Sequence, residues 1–344
     1  MNTKKLLHIA DKEPASRLWT NTFRKALKPF GTLEIIKNGS SLSEAERLER
    51  IRSTDILITG WGSAPVPPSI VQNPGSLKYI CHLTGEMNHL IPLEIIRSAI
   101  PVTNWGNAPA FAVAEGAMVL LMAMLKNLRA VIVEKEAGHW RDASPGAVAQ
   151  SGSLRGLKVG LYGLGFIGRC FCDMLRPFRA VISAYDPYTR DWPEGVARVE
   201  SLEELFKDSH AIVLHAGLTE QTRKSVNAKL LSLMPDHAIL INTARGDIID
   251  QEALFAELKT GRLRAGLDVM ANGDSLPPEH PARGWSNVIL TSHMIGSALW
   301  PVHPEDPEAP LQTWHEVCLD NLQRFASGQP LQFVIDEKRY LLMS

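Results

Sequence analysis

Short apolar runs alternate with amphipathic stretches along nearly the whole chain. That alternation is the mark of βαβ units on parallel sheets, because each buried strand is covered by the helix that follows it. In the first third, strands are predicted at Leu6–Ala10, Leu33–Ile36, Ile56–Gly60, Leu77–Leu83 and Val102–Asn104, with helical patterns such as Ser43–Arg52 and Pro92–Ser98 between them. Strands of this kind predict a small flavodoxin-like sheet. A long amphipathic stretch follows from Ala112 to Gly138, without an internal proline and with its glycine placed as a C-cap, which predicts a helix. The polar segment Asp142–Ser153 reads as a linker. A second set of strands is predicted at Lys158–Tyr162, Val181–Tyr185, Ala211–His215, Ala238–Asn242, Arg264–Val269 and Val288–Thr291, enough for a full dinucleotide-binding sheet. After the proline-rich stretch Pro301–Pro310, a helix at Leu311–Ala326 does not extend that sheet, so it is assigned back to the first domain. The expected fold class is α/β with two domains. A discontinuous flavodoxin-like domain takes residues 1–112 plus 299–344, and a Rossmann domain takes residues 113–298.

The 344 residues exceed one ordinary core and agree with two domains. With 45% hydrophobic and 21% charged residues, a soluble globule is expected rather than disorder. A formal net charge of −1 and the lack of a like-charge block argue against nucleic acid, which needs a basic face. No apolar run has the length of a membrane span. The start of the chain resembles a signal peptide only briefly, since Leu6–Ala10 is short and is broken by His8 and followed by Asp11; a cytoplasmic location is the expectation. Cys81, Cys170, Cys172 and Cys318 show no metal or redox spacing, so they are expected as buried small apolar residues and no metal is predicted.

The strongest local signal is Gly163-Leu-Gly165-Phe166-Ile167-Gly168, a G-x-G-x-x-G that follows an apolar strand and opens a helix. Gly163 would permit the tight turn, Gly165 the approach of a pyrophosphate, and Gly168 close helix–strand packing, with the anion at the helix N-terminus. About twenty residues further on, Asp186 ends the next strand, where a carboxylate accepts hydrogen bonds from ribose hydroxyls and repels a 2′-phosphate. No Arg or Lys immediately follows it, so NAD is predicted over NADP.

Four further motifs in order resemble the D-isomer-specific 2-hydroxyacid dehydrogenases, including their glyoxylate/hydroxypyruvate-reductase-like members. His215-Ala216-Gly217-Leu218-Thr219 is similar to the family's H-x-P-L-T, with Gly217 for proline. Ile241-Asn-Thr243-Ala244-Arg245-Gly-Asp-Ile-Ile-Asp250 is similar to I-N-x-A-R-G-x-x-[IV]-D, Ala265-Gly-Leu-Asp268-Val269 to G-A-x-L-D-V, and Leu290-Thr-Ser-His293-Met-Ile-Gly296 to L-T-P-H-I-G-G. The segment Asn104–Glu115 is similar to the family's domain-crossing stretch. The resemblance covers nearly the whole chain. It implies a substrate domain formed by both ends, a cofactor domain in the middle, and an active site in the cleft between them. It places Ala216, Gly217, Thr243, Ala244 and Asp268 at the cofactor beside the glycine loop and Asp186.

Hydride transfer to a 2-keto acid requires a held carboxylate, a polarised carbonyl and a proton source. The planar, permanently charged fork of Arg245 suits the first two demands, and the near-neutral imidazole of His293 suits the third. The family pairs its histidine with a glutamate five residues past the L-D-V aspartate. Here that position is Gly273, and a one-residue insertion, supported by the shifted Leu276-Pro-Pro-Glu-His-Pro281 run, would bring Asp274 to the imidazole. By resemblance, backbone N–H groups of Thr84 and Gly85 hold the substrate carboxylate. Glu86 disfavours dicarboxylic or phosphorylated acids if it faces the substrate, and Met87, standing where the family often has aspartate, suggests an unusual substrate pocket. Trp140 resembles a tryptophan that relatives use at a dimer interface, with packing on its own domain as the alternative; Trp105 and Trp300 are further candidates for the substrate's surroundings. The expected partners are a small 2-keto or 2-hydroxy acid and a second copy of the chain, joined through the NAD-binding domain. The rival readings are an NAD(H)-sensing binding protein of the same fold with little turnover, favoured by the missing glutamate, and another enzyme on this scaffold, such as a formate- or phosphite-oxidising one.

Overall fold

A computed structural model describes residues 4–16, 18–140, 151–296 and 306–341. The chain divides into two compact units, Met1–Pro109 with Ala298–Ser344, and Ala110–Ser297. Residues 142–150 of the expected linker, residues 301–305 of the proline-rich stretch and Trp300 lie outside the described residues.

The first unit holds a five-stranded sheet in the order β2-β1-β3-β4-β5, parallel throughout. The strands are β1 Lys5–Ile9, β2 Thr32–Ile36, β3 Ile56–Thr59, β4 Tyr79–His82 and β5 Val102–Thr103. This is the flavodoxin-like order. The helix Glu44–Arg52 starts where its sequence says it should, on a capping box in which Ser43 and Glu46 satisfy each other's backbone N–H groups. The late helix Thr313–Ser327 does return to this unit: Cys318 and Leu322 share a core with Leu6, Phe23, Ile58, Tyr79 and Cys81. One consequence escapes any local spacing rule. The Cys81 and Cys318 thiols, buried and reduced, meet at 3.3 Å although 237 positions separate them.

The second unit holds a seven-stranded parallel sheet in the order β12-β11-β10-β9-β6-β7-β8. Its strands are β6 Lys158–Tyr162, β7 Val181–Tyr185, β8 Val196–Arg198, β9 Ala211–Leu214, β10 Ile239–Asn242, β11 Arg264–Leu267 and β12 Val288–Leu290. Reading outward from β6, this is the doubly wound dinucleotide-binding arrangement, with the order reversing between β6 and β9. The sequence predicts all of these except β8, an edge strand of three residues with only Val196 buried.

The amphipathic stretch Ala112–Gly138 is not one helix. It forms Ala110–Leu125 and Leu128–Glu136, bent by 60°. At the bend Asn127 is left-handed, with φ 51°. The Leu125 carbonyl accepts the Gly152 N–H at 2.8 Å, and the Lys126 ammonium donates to the Gly152 carbonyl at 2.7 Å, so a distant segment holds the break open. The first helix packs Ala114, Ala117, Leu120, Leu121 and Met124 into the core with Phe171 and Cys172; the second has no buried residue. Among the described residues no single helix is long and apolar enough to cross a membrane, and no cluster of side chains could hold a metal ion.

Candidate active site

In an open parallel sheet, ligands gather outside the carboxyl ends of the strands, where the order reverses. In the second unit that edge carries the glycine loop between β6 and the helix Phe166–Leu175. Gly163 has φ 99°, and a Cβ there would lie 2.5 Å from the Ala216 N, so both conformation and space demand glycine. A Cβ on Gly168 would lie 2.6 Å from the Gly163 carbonyl oxygen, whereas one on Gly165 would meet nothing within 4 Å. The loop is thus tight toward the protein and open on one side. Phe166 is exposed at the start of the helix, and Ile167 packs partly into the core.

Asp186 follows β7 and fastens this loop. Its Oδ2 accepts the Leu164 N–H at 2.7 Å, and its Oδ1 accepts those of Tyr188 at 2.8 Å and Thr189 at 3.0 Å. A carboxylate has about four acceptor positions, so roughly one remains for a ribose hydroxyl rather than a bidentate pair. Beyond β9, Ala216 and Gly217 flank the glycine loop, and His215 stacks near Phe171 with burial pushing its pKa down to about 3. Thr243, after β10, is 6% exposed and its Oγ1 is buried without a partner, as suits a group awaiting a ligand. The open glycine, the helix N-terminus and this unpartnered hydroxyl fit a dinucleotide.

Arg245 and His293 both leave this same edge. Asn242, Leu267 and Leu290 are register partners across β10, β11 and β12, and the two side chains each sit three residues past the outer members. The outer strands stand two spacings apart, about 10 Å. Asn242 is fully buried; its Oδ1 accepts the Ala244 N–H at 3.0 Å and its Nδ2 donates to the Arg245 carbonyl at 2.9 Å, so it shapes the arginine loop. The guanidinium donates to the Ala244 carbonyl at 2.8 Å.

His293 Nδ1 lies 2.6 Å from Asp274 Oδ2. Both partners arrive on left-handed turns: Asn272, Gly273 and Asp274 have φ of 57°, 89° and 57°, and Ser292 and His293 have φ of 50° and 59°. For residues other than glycine this conformation costs of order 1 kcal/mol each, and it persists only where its surroundings fix it. Those surroundings are visible. The other oxygen of Asp274 accepts the Met270 N–H at 2.6 Å, and Gln251 Oε1 accepts that of Ala271 at 2.9 Å. Asp268, expected at the cofactor, is buried under the histidine loop. Its Oδ1 gathers the Thr291 hydroxyl at 2.5 Å and the N–H groups of Met294 and Ile295, while its carbonyl accepts the His293 N–H. Gly246 closes the arrangement, since a Cβ there would lie 1.9 Å from the Met270 carbonyl carbon. Asn242, Gln251, Thr291 and Gly246 are positioning residues that sequence reasoning did not single out; the only local signal is a polar residue ending an apolar strand, at Asn242.

In the first unit, the loop after β4 carries Thr84 and Gly85. Thr84 is fully buried, and its hydroxyl bonds His82 Nε2 at 2.7 Å. His82 Nδ1 meets the Thr59 hydroxyl at 2.8 Å, and burial pushes the imidazole down to about 3, so it is neutral. Glu86 is tied into its own turn, accepting the Asn88 N–H and lying 3.0 Å from His89 Nδ1. Met87 is fully buried in the core with Leu7, Leu57, Ile80 and Ile91, because a long apolar side chain at this point of the turn fills the space under β4. Trp140 is 76% exposed among the described residues.

Comparison with known proteins follows this geometry. Residues 118–295 match the family described as "D-isomer specific 2-hydroxyacid dehydrogenase, NAD binding domain". The chain is 31% identical over 269 residues to the hydroxypyruvate reductase of Thermotoga maritima, covering 77% of this chain and 85% of that one. It is likewise 31% identical over 278 residues to the D-3-phosphoglycerate dehydrogenase of Methanocaldococcus jannaschii, covering 79% of this chain but 51% of that protein, so it spans about half of that relative's length. Among solved structures, an acyclic imino acid reductase in complex with NADPH and D-Arg is similar with a TM-score of 0.73 and 26% identity, covering 96% of this chain and 99% of that one.

Proposed function

Because the chain belongs to the D-isomer-specific 2-hydroxyacid dehydrogenase family, whose members are NAD(P)-dependent oxidoreductases, we propose that it reduces a small 2-keto acid with NADH, or oxidises the 2-hydroxy acid, through Arg245 and His293. The observation that carries this reading is the 2.6 Å pair between His293 Nδ1 and Asp274 Oδ2 on the nucleotide-binding edge of the sheet. A carboxylate on Nδ1 fixes the tautomer and the orientation of the ring, which leaves Nε2 to deliver a proton. Among the described residues nothing engages Nε2. NAD, when bound, supplies or accepts the hydride. Arg245 then orients the acid through its carboxylate and draws charge onto the carbonyl oxygen, where negative charge grows as reduction proceeds. His293 Nε2 gives its proton to that oxygen, and in the reverse direction takes it back. Asp274 holds the imidazole in place. In the first unit, the N–H groups of Thr84 and Gly85, which the resemblance assigns to the substrate carboxylate, donate to no described residue.

The same reading makes the protein a homodimer through its NAD-binding unit, supported by Phe111, Val119, Leu128, Ile132, Val133 and Trp140, apolar side chains left exposed along the two helices and just beyond them.

The test is NADH oxidation with glyoxylate, hydroxypyruvate, pyruvate and bulkier 2-keto acids, by the wild-type chain and by His293→Ala. Turnover that falls about 100-fold or more in the variant is expected from the usual worth of general acid catalysis. Tight NADH binding without turnover of any acid would instead favour a nucleotide sensor.

A further inference from the structure

We propose that Gly116 is a positioning residue for the reaction: through Ile295 it seats the turn that carries His293 against the helix Ala110–Leu125. The inference rests on the hydride-transfer reading above and adds a residue that acts through the histidine rather than on the substrate. Every group it uses lies in the second unit. In the motif L-T-P-H-I-G-G, glycine stands where this chain has Ile295. A branched side chain there needs space, and the helix supplies it. A Cβ on Gly116 would lie 2.6 Å from the Ile295 carbonyl oxygen and 2.9 Å from its Cγ2, so the isoleucine fills the place that any other residue at 116 would claim. One residue on, the relation reverses. A Cβ on Gly296 would lie 2.9 Å from Val113 Cγ2 and 3.3 Å from its Cα, so there the helix bears on a glycine of the turn. Val113 and Gly116 are three residues apart and share a helix face. Helix and turn thus meet as bump and hollow twice, in opposite senses.

Glycine inside a helix gives up stability that alanine would supply, so local preference does not account for Gly116. The contact with the turn does. On its other side the turn hangs from Asp268, whose Oδ1 accepts the Met294 N–H at 2.9 Å and the Ile295 N–H at 3.1 Å and whose carbonyl accepts the His293 N–H. The turn therefore cannot back away from the helix without straining those bonds. Alanine at 116 would push the Ile295 carbonyl from 2.6 Å to the 3.4 Å at which ordinary contact begins, a displacement of about 0.8 Å. The opposing atom is backbone, so it cannot rotate aside as the tip of a side chain could. Two residues separate it from His293, whose left-handed φ of 59° leaves the chain little freedom to absorb the shift. Asp274 belongs to another loop, fixed by the Met270 N–H, so a displaced turn opens the 2.6 Å contact between imidazole and carboxylate. A misplacement of about 1 Å at a reacting group costs up to about 100-fold in rate.

The experiment measures kcat with NADH and the best 2-keto acid of the panel above for Gly116→Ala, in the wild-type and His293→Ala backgrounds, alongside amide hydrogen exchange of the 288–296 segment without cofactor. Gly116→Ala is expected to lower kcat about 10- to 100-fold, with the affinity for NADH and the melting temperature nearly unchanged. In the His293→Ala background the same substitution should change kcat less than about twofold, because no imidazole is left to misplace. Exchange of the Met294 and Ile295 amides should quicken about tenfold as their bonds to Asp268 loosen. Ile295→Gly is the second probe, since it frees the turn and leaves the helix intact; it should quicken the same amides and lower kcat about tenfold, again only where His293 is present. Wild-type kcat in Gly116→Ala, unmoved exchange, or a fall in kcat of equal size in both backgrounds overturns the inference, and the hydride-transfer reading stands as long as His293→Ala itself is impaired. If His293→Ala turns over like the wild type, or the wild type turns over no acid, while exchange quickens in Gly116→Ala and Ile295→Gly, the seating of the turn stands and the role of the histidine falls. Unmoved exchange together with an unimpaired His293→Ala overturns both.

Discussion

Acid should loosen the first unit before the second, because of where the buried histidines lie. Burial pushes His8 and His315 down to about 4, and His82 and His215 down to about 3. Three make contacts that suit a neutral ring: His8 Nδ1 meets the Ile58 carbonyl at 3.0 Å, His82 bridges Thr59 and Thr84, and His315 Nε2 meets the Leu18 carbonyl at 2.9 Å; the fourth, His215, is buried with its Nε2 bonded to no described residue. In the unfolded chain these rings titrate near 6.5. Their folded values are lower, so below pH 6.5 the unfolded state binds protons that the folded state refuses. Stability is therefore intact above that pH and is lost progressively as pH falls toward the folded values. Between pH 7.5 and 5.5 each histidine should cost about 1.4 kcal/mol, roughly 5 kcal/mol for the four and about 4 kcal/mol for the three in the first unit. Urea unfolding followed by circular dichroism at the two pH values measures the total, and limited proteolysis at pH 5.5 with mass spectrometry locates the weakening. Cleavage should begin in the first unit. A loss below about 1 kcal/mol, or first cleavage in the second unit, would refute the assignment of these rings as neutral and buried.

Other expectations follow from single contacts. Gly246→Ala forces the Met270 backbone away and with it the loop that carries Asp274; a stability loss of about 1–3 kcal/mol and a fall in kcat of up to about 100-fold should appear in thermal melts and steady-state kinetics. Asp186, held by three backbone N–H groups, cannot swing aside for a 2′-phosphate, so kcat/KM for NADH should exceed that for NADPH at least about tenfold, by simple competition of the two cofactors. Sedimentation should give about twice the 38.0 kDa chain mass, and Ile132→Glu should shift the protein toward monomer.

What could be read from the sequence and what could not divide along a physical line. The strands β6 and β7 match their predicted ranges because apolar runs bounded by turns are local signals. The glycine loop was legible for the same reason: turn, strand and helix all lie within a dozen residues. The break at Asn127 was not, because it is held by Gly152, twenty-five positions later. That Met87 fills the core beneath β4 was not legible, because alignment by motif says nothing about which way a side chain points once a turn tightens. The part that the Asp268 carboxylate plays in the turn displaying His293 was not legible either, since it exists only when β11 and β12 are side by side.

The substitution that raised most doubt in the sequence, aspartate where the family has glutamate, resolves as a change of backbone rather than a loss of the partner. Aspartate is shorter by one methylene, about 1.5 Å of reach. The chain makes this up by running Asn272, Gly273 and Asp274 through three left-handed conformations in succession, which carries the carboxylate to 2.6 Å from the imidazole. The compensation has a consequence that a merely conservative view would miss. With the backbone already advanced, a longer side chain has no room in line with Nδ1, so Asp274→Glu should be nearly as harmful as Asp274→Asn. In both variants kcat for reduction should fall roughly tenfold or more while KM for the keto acid changes little, because the imidazole loses the partner that aims it. A loss confined to kcat is what separates a catalytic pairing from a structural one. If Asp274→Glu behaves as wild type, or if both variants lower the melting temperature and raise KM along with the fall in kcat, the carboxylate positions the loop and the histidine works without it.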